Sequence, residues 1–155
     1  HLDGLADERL GGLRGRRAVD LYAGAGVRAL RWAAAGARAA ACESDPEAVR
    51  AGREAADREG VDVDLHAGPV EERAASLLPA DLVVVNPPRR GLSREAADLL
   101  SDADAGALAY VSCDPATLGR DLERLGEGWS IVDLAAFDAF PQTAHVETIV
   151  WLERT

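Results

Sequence analysis

Ser112-Cys113-Asp114-Pro115, with Thr117 and Arg120-Asp121 close behind, is the stretch of this chain best suited to covalent chemistry. The cysteine stands where an apolar run from Ala107 to Val111 stops and a helix is expected to start. Asp114 is a good N-cap, Pro115 suits the first helical position, and Thr117 to Leu125 reads as helix. A thiol at a helix N-terminus lies at the positive end of the dipole, which favours the nucleophilic thiolate. Taken alone, such a cysteine is more often a small buried apolar residue. Its weight comes from two companions, Asn86-Pro87-Pro88-Arg89-Arg90-Gly91 upstream and His145-Val146-Glu147 downstream. By the same standard Cys42, in Ala-Ala-Ala-Cys, reads as structural, and His66 as the end of a strand.

A second group of residues suits a nucleotide-like ligand. Asp20-Leu21-Tyr22-Ala23-Gly24-Ala25-Gly26 joins an apolar segment to a predicted helix, and its glycines let a ligand approach the helix N-terminus closely. Downstream, Glu43 ends the next extended segment, where a carboxylate can accept hydrogen bonds from both hydroxyls of a ribose. With Ala29 the glycines also satisfy the dinucleotide pattern, so the turn alone does not separate NAD from S-adenosyl-L-methionine (AdoMet). Asn86 precedes two prolines, which hold it extended and stiffen the loop without donating backbone hydrogen bonds. An aromatic residue after such prolines would suit stacking on a base with an amino group. Arg89 stands there instead.

Composition bounds the setting for this chemistry. The 155 residues suit one domain, with no signal peptide and no apolar run long enough for a membrane span. Two cysteines in dissimilar contexts give neither a disulfide framework nor metal-ligand spacing, so no metal is expected and a reducing cytoplasm is the default. Seventeen basic against 27 acidic residues give a net charge of −10, which does not draw in nucleic acid through the overall field. An RNA partner would need local arginines such as Arg89, Arg90 and Arg94. Arg14, Arg16 and Arg17 read instead as a solvated flank. The chain contains no methionine, so its natural start is expected upstream.

The elements that must position these residues alternate between extended and helical character. Strands are predicted at Ala18–Tyr22, Ala37–Glu43, Val61–His66, Asp81–Asn86 and Ala107–Ser112. Helices are predicted at Gly26–Ala35, from the Asp45 cap to Glu59, and at Val70–Leu78, Ser93–Leu100 and Ala116–Leu125. In the first helix Leu30 and Ala34 are expected on one face. Trp129–Phe137 and His145–Leu152 follow as two strands with no helix between them. Five βα units and a terminal hairpin indicate a doubly wound α/β sheet, mostly parallel, with an antiparallel C-terminal strand. Residues 1–17 read as a lead-in with a short helix, and 18–155 as the ligand-binding domain.

From residue 18 to the end, the chain resembles the RNA uracil-5 methyltransferase family. The likeness rests on DLYAGAG (20–26), Glu43, NPPRRG (86–91), SCDPATLGRD (112–121) and FPQTAHVE (140–147). The NPPRRG form is most similar to the branch acting on 23S ribosomal RNA. The resemblance implies a class I AdoMet-dependent methyltransferase fold, AdoMet as cofactor, and an RNA substrate, ribosomal or else transfer RNA. It places the nucleophile on Cys113 and the general base on Glu147. Cofactor contacts fall on Asp20, Tyr22, Gly24, Gly26, Glu43 and Asn86, and substrate contacts on Arg89, Arg90 and His145. Family members also carry upstream RNA-binding and central regions, so these 155 residues alone are expected to act weakly on RNA. Pro69 stands where relatives often have an Asp or Asn near adenine. Asp114 replaces an Asn, adding a negative charge beside Cys113. Two alternatives stay open: a methyltransferase of this fold with another acceptor, and a non-catalytic AdoMet- or dinucleotide-binding module. Hydride transfer finds no supporting residues in NPPR or SCDP.

Overall fold

A computed structural model of the chain describes residues 2–137 and 147–155. Its strands are β1 (Arg17–Leu21), β2 (Arg38–Glu43), β3 (Asp64–Ala67), β4 (Ala80–Val85), β5 (Ala105–Ser112), β6 (Trp129–Phe137) and β7 (Glu147–Arg154). The helices are α1 (Leu2–Leu10), α2 (Val27–Ala34), α3 (Pro46–Glu59), α4 (Val70–Arg73), α5 (Arg94–Ser101) and α6 (Pro115–Leu125). The strands form one seven-stranded sheet in the order β3-β2-β1-β4-β5-β7-β6. The first five are parallel to their neighbours, while β7 runs antiparallel to both β5 and β6. Strand order reverses between β1 and β4, which makes the carboxyl ends of those strands the natural ligand crevice. This is the class I AdoMet-dependent methyltransferase fold.

Burial on both faces explains why the central strands read as continuous apolar runs rather than alternating ones. Val19, Leu21, Val83, Val85, Leu108 and Tyr110 pack under α4, α5 and α6. Ala18, Leu82, Val84, Ala107, Ala109 and Trp151 pack under α1, α2 and α3. The lead-in is part of this second layer: Leu2, Leu5, Ala6 and Leu13 are buried, and Asp3 accepts a hydrogen bond from Trp32 Nε1 at 3.2 Å. No helix of the described residues is long and apolar enough to cross a membrane.

In α2 the buried residues are Ala29, Leu30 and Trp32, while Ala34 is exposed. Three local expectations need correction. The third strand starts later than expected and runs one residue further: β3 (Asp64–Ala67) pairs with β2 at the sheet edge, and Val61 to Val63 lie outside it. The helix after it is α4 for one turn, continued as a 3₁₀ turn over Ala74–Leu77. Arg16 and Arg17 are not a solvated flank. Arg16 donates to the carbonyls of Leu10 (2.6 Å) and Gly12 (3.1 Å), and Arg17 to that of Leu77 (2.9 Å), closing the end of the sheet opposite the crevice.

Candidate active site

The glycine turn leaves β1 through an unusual backbone. Tyr22 has φ 59°, a left-handed conformation seldom taken by an aromatic residue, and Gly24 and Gly26 follow at 56° and 70°. Three left-handed residues in five fold the chain back tightly at the start of α2. The Gly26 N–H closes the turn on the Ala23 carbonyl at 2.9 Å. Glu43, at the end of β2, faces this turn. Its Oε2 accepts the Gly24 N–H at 2.8 Å, and its Oε1 accepts the Asp45 N–H at 2.9 Å and the Ser44 hydroxyl at 3.0 Å. Burial works against its charge, but the donated bonds from Asp45, Gly24 and Ser44 outweigh it and hold the carboxyl below its ordinary pKa. Glu43 is therefore a fixed, ionised acceptor beside the turn, and Oε2 still has a lone pair to offer.

Asp20 lies beneath the turn rather than in it. It is 1% exposed and takes a 2.6 Å ion pair from Arg28 on α2. Burial raises its pKa to about 6, against the pull of Arg28. Asp20 thus braces the strand end against the helix.

Asn86, expected to end the fourth strand, stands just past it, since β4 stops at Val85, and it is exposed. Its N–H reaches the Leu21 carbonyl at 3.3 Å, which ties the double-proline loop to the glycine turn. Between them lies a cleft of about 100 Å³, lined by Tyr22, Ser44, Pro69, Val70, Pro88 and Arg90, among others. Glu71 and Ser93, hydrogen-bonded to each other, form part of its wall. Arg89, Arg90 and Arg94 are exposed, with Arg90 at the cleft and Arg94 at the start of α5.

Cys113 leaves the end of β5, half-buried, one residue before the α6 cap. The Asp114 carboxylate is turned into that helix, accepting from the N–H groups of Ala116 (2.9 Å) and Thr117 (3.1 Å). Val111 pairs with Ile149 and Ser112 with Thr148. Cys113 follows Ser112 and Glu147 precedes Thr148, so both stand at the end of this ladder. Cys42 is different: it is buried in β2, donates to the Gly68 carbonyl at 3.3 Å, and burial pushes its thiol up to about 11. That thiol is structural. His145 lies outside the described residues, as does most of the FPQTAHVE motif.

Comparison with known proteins decides the family. Residues 76–155 match the family model of tRNA (uracil-5-)-methyltransferases. The chain belongs to this family. Residues 5–113 also match a methyltransferase small-domain model, which covers the glycine turn and Glu43. An uncharacterized RNA methyltransferase of Thermotoga maritima is 39% identical over 150 residues, 90% of this chain and 33% of that protein. One from Protochlamydia amoebophila is 37% identical over 148 residues, 92% of this chain and 34% of the relative. The chain thus spans about a third of the length of these relatives. Among solved structures, the tRNA (uracil-54, C5)-methyltransferase of Pyrococcus abyssi, in complex with S-adenosyl-L-homocysteine, superposes with a TM-score of 0.82. It shares 30% identity, over 96% of this chain and 36% of that one.

Several residues that hold this family site together escaped the sequence reading. Asp121 was visible inside SCDPATLGRD, but nothing in the string says that it binds the NPPRRG loop. Gly52 is hidden in α3, and its only signal is a glycine amid good helix formers. Arg28, the partner of Asp20, carries no signal at all.

Proposed function

We propose that this chain is the AdoMet-binding catalytic part of an RNA methyltransferase that transfers a methyl group to carbon 5 of a uridine. The observation that supports the reading is the antiparallel β5–β7 ladder, whose last pair, Ser112 and Thr148, is flanked in sequence by Cys113 and Glu147.

The turn and cleft fit AdoMet by their chemistry. Glu43 offers a fixed anionic acceptor for ribose hydroxyls, and Gly24 leaves open space where a Cβ would stand. Pro69, Val70, Pro88 and the Tyr22 ring offer apolar contact to a purine in the adjoining cleft. Pro69 has no side-chain acceptor for the adenine amino group, and Glu71 brings a carboxylate to the cleft wall. When bound, AdoMet supplies an electrophilic methyl group on a sulfonium centre that leaves as a neutral thioether.

The chain's own residues make the acceptor reactive. Carbon 5 of uracil is too weak a nucleophile unaided. Addition of the Cys113 thiolate to carbon 6 forms a C–S bond and converts the ring to an enolate, with electron density on carbon 5. Carbon 5 then takes the methyl group. Glu147 removes the carbon-5 proton, the ring double bond re-forms, and the C–S electrons return to sulfur. The exposed arginines of the NPPRRG loop offer phosphate contacts in a domain of net charge −10.

We further propose ribosomal RNA as the substrate and the cytoplasm as the setting. The NPPRRG form supports the first, and the two free cysteines suit the second. The P. abyssi relative, titled for tRNA uracil 54, makes transfer RNA the competing substrate. Mass spectrometry of ribosomal and transfer RNA from a gene-deletion strain separates them by which pool loses a 5-methyluridine.

The mechanism is tested in the full natural protein. Cys113→Ala should abolish both protein–RNA adduct and methyl transfer. Glu147→Gln should add, methylate, and then fail to release, so that a methylated covalent complex accumulates on denaturing gels. Methylation by the Cys113→Ala protein would refute the thiolate route.

A further inference from the structure

The NPPRRG loop has few anchors of its own. Pro87 and Pro88 donate nothing, and the only bond inside the loop is Gly91 N–H to the Pro88 carbonyl at 2.8 Å. Its position comes from one face of α6. Thr117 Oγ1 donates to the Arg89 carbonyl (3.2 Å), Arg120 Nη2 to that of Arg90 (2.7 Å) and Arg124 Nη1 to that of Leu92 (3.3 Å). At the centre of this face is Asp121, which is fully buried.

The two oxygens of Asp121 face different elements. Oδ2 accepts the Leu92 N–H at 2.7 Å from the loop and the Tyr110 hydroxyl at 2.7 Å from β5. Oδ1 accepts Arg120 Nε at 3.0 Å and Nη2 at 2.8 Å, with Arg124 Nη1 at 3.4 Å. One carboxylate thus joins the loop, the strand that ends at the nucleophile, and the helix that the nucleophile precedes. Gly91 takes a left-handed φ of 75° and lies so close that any Cβ there would overlap Asp121 and Arg120. A buried ion costs several kcal/mol to desolvate, and apolar packing would join a helix to a sheet as firmly. What an apolar residue would not do is fix the direction of the Leu92 N–H and the Tyr110 hydroxyl together.

We propose that Asp121 is a positioning residue for methyl transfer, setting the NPPRRG loop against the Cys113 strand end so that the uracil ring meets both. The inference rests on the thiolate role of Cys113. Asparagine in its place has one acceptor oxygen, and its amide NH₂ must face either the Leu92 N–H or two guanidinium groups. Either way the junction loses its register.

The test uses the full natural protein and an RNA carrying 5-fluorouridine, which leaves no carbon-5 proton to remove and so traps the adduct. In Asp121→Asn the adduct should form about 10- to 100-fold more slowly, the loss expected for a displacement near 1 Å at a reacting centre. AdoMet affinity should fall by a clearly smaller factor, because the Glu43–Gly24 pair makes no hydrogen bond to Asp121 and only the Pro88 and Arg90 side of the cleft moves with the loop. Tyr110→Phe removes one donor only and should show the same split with a smaller loss, which keeps the test open if the Asn variant folds poorly. Unchanged adduct rates in both variants would overturn the assignment. So would adduct rate and AdoMet affinity falling together in step with the folded fraction. If the unsubstituted protein methylates uridine yet traps no adduct, the thiolate reading itself fails, and this inference with it.

Discussion

Gly52→Ala sets two physical effects against each other inside the cofactor site. Gly52 lies in the middle of α3 with ordinary helical geometry, so alanine should favour the helix by about 1 kcal/mol. Its buried face, however, rests on the glycine turn. A Cβ there would overlap the Ala25 carbonyl oxygen and come within 3.1 Å of both the Ala25 carbonyl carbon and Leu65 Cδ1. The obstructing oxygen is backbone and has no rotamer to escape into. Overpacking of this kind costs about 1–3 kcal/mol, so net stability should fall by roughly 0–2 kcal/mol. The larger effect is local. Ala25 sits between Gly24, whose N–H holds Glu43, and Gly26, which closes the turn. Pushing Ala25 outward stretches the charge-assisted bond to Glu43, and about 1.5 kcal/mol from that bond corresponds to roughly tenfold weaker AdoMet binding. Calorimetric titration with AdoMet, beside urea unfolding of the same samples, measures both terms. Affinity within twofold of the unsubstituted protein, with stability raised by the full helix-propensity gain, would refute the argument that α3 supports the turn.

Glu43→Ala should lower stability by about 1–3 kcal/mol, since it strips the Gly24, Ser44 and Asp45 donors of their acceptor, and should weaken AdoMet binding about 10- to 100-fold through the lost ribose contacts. Titration with NAD as the control ligand checks this, and binding of NAD in preference to AdoMet would count against the methyltransferase reading. Asp20 gives a pH signature. Its folded pKa of about 6 lies above the ordinary 3.8, so the native state holds this proton more tightly than the unfolded chain. Stability from this site is therefore full below about pH 4, falls as pH rises towards 6, and is level beyond. The whole effect is about 3 kcal/mol. Asp20→Asn should remove that slope, and urea unfolding from pH 4 to 7 that shows parallel curves for the two proteins would refute the buried-acid account.

The fold was legible because local and long-range signals agree. Asp45 before Pro46 and Asp114 before Pro115 are caps that the structure uses as expected, each accepting from the first N–H groups of its helix. The run from Leu82 to Val85 is a strand buried on both faces, and only a central parallel strand needs that pattern. Illegible features depend on contacts between distant segments. Which arginines are free is one such feature: Arg16 and Arg17 close the sheet end, while Arg89 and Arg90 remain exposed. Glu43 was legible as an acceptor but not as one already engaged by Gly24. Asp121 looks like any helix acid until the loop from Asn86 to Leu92 is folded over it.

Sheet direction is what turns two unremarkable residues into a site. Glu147 starts β7, and β7 enters the sheet antiparallel, between β5 and β6. Its first residue therefore arrives where β5 ends. Had β7 run parallel to β5, Glu147 would lie at the opposite end, seven residues and about 23 Å away along the strand. Arg154 would stand at the Cys113 end instead. Register matters as much as direction. A slip of one residue would turn Glu147 to the other face. The structure keeps the slip out of this pair: the irregularity of the hairpin falls between Ile131 and Asp133 on β6, and the β5–β7 ladder runs unbroken from Ala107–Glu153 to Ser112–Thr148. Val150, Trp151 and Leu152, all buried, lock it, because moving them by one place would put Trp151 into the layer that Val150 and Leu152 fill. The apolar residues in the middle of β7 thus hold Glu147 at the end of the sheet where β5 gives way to Cys113.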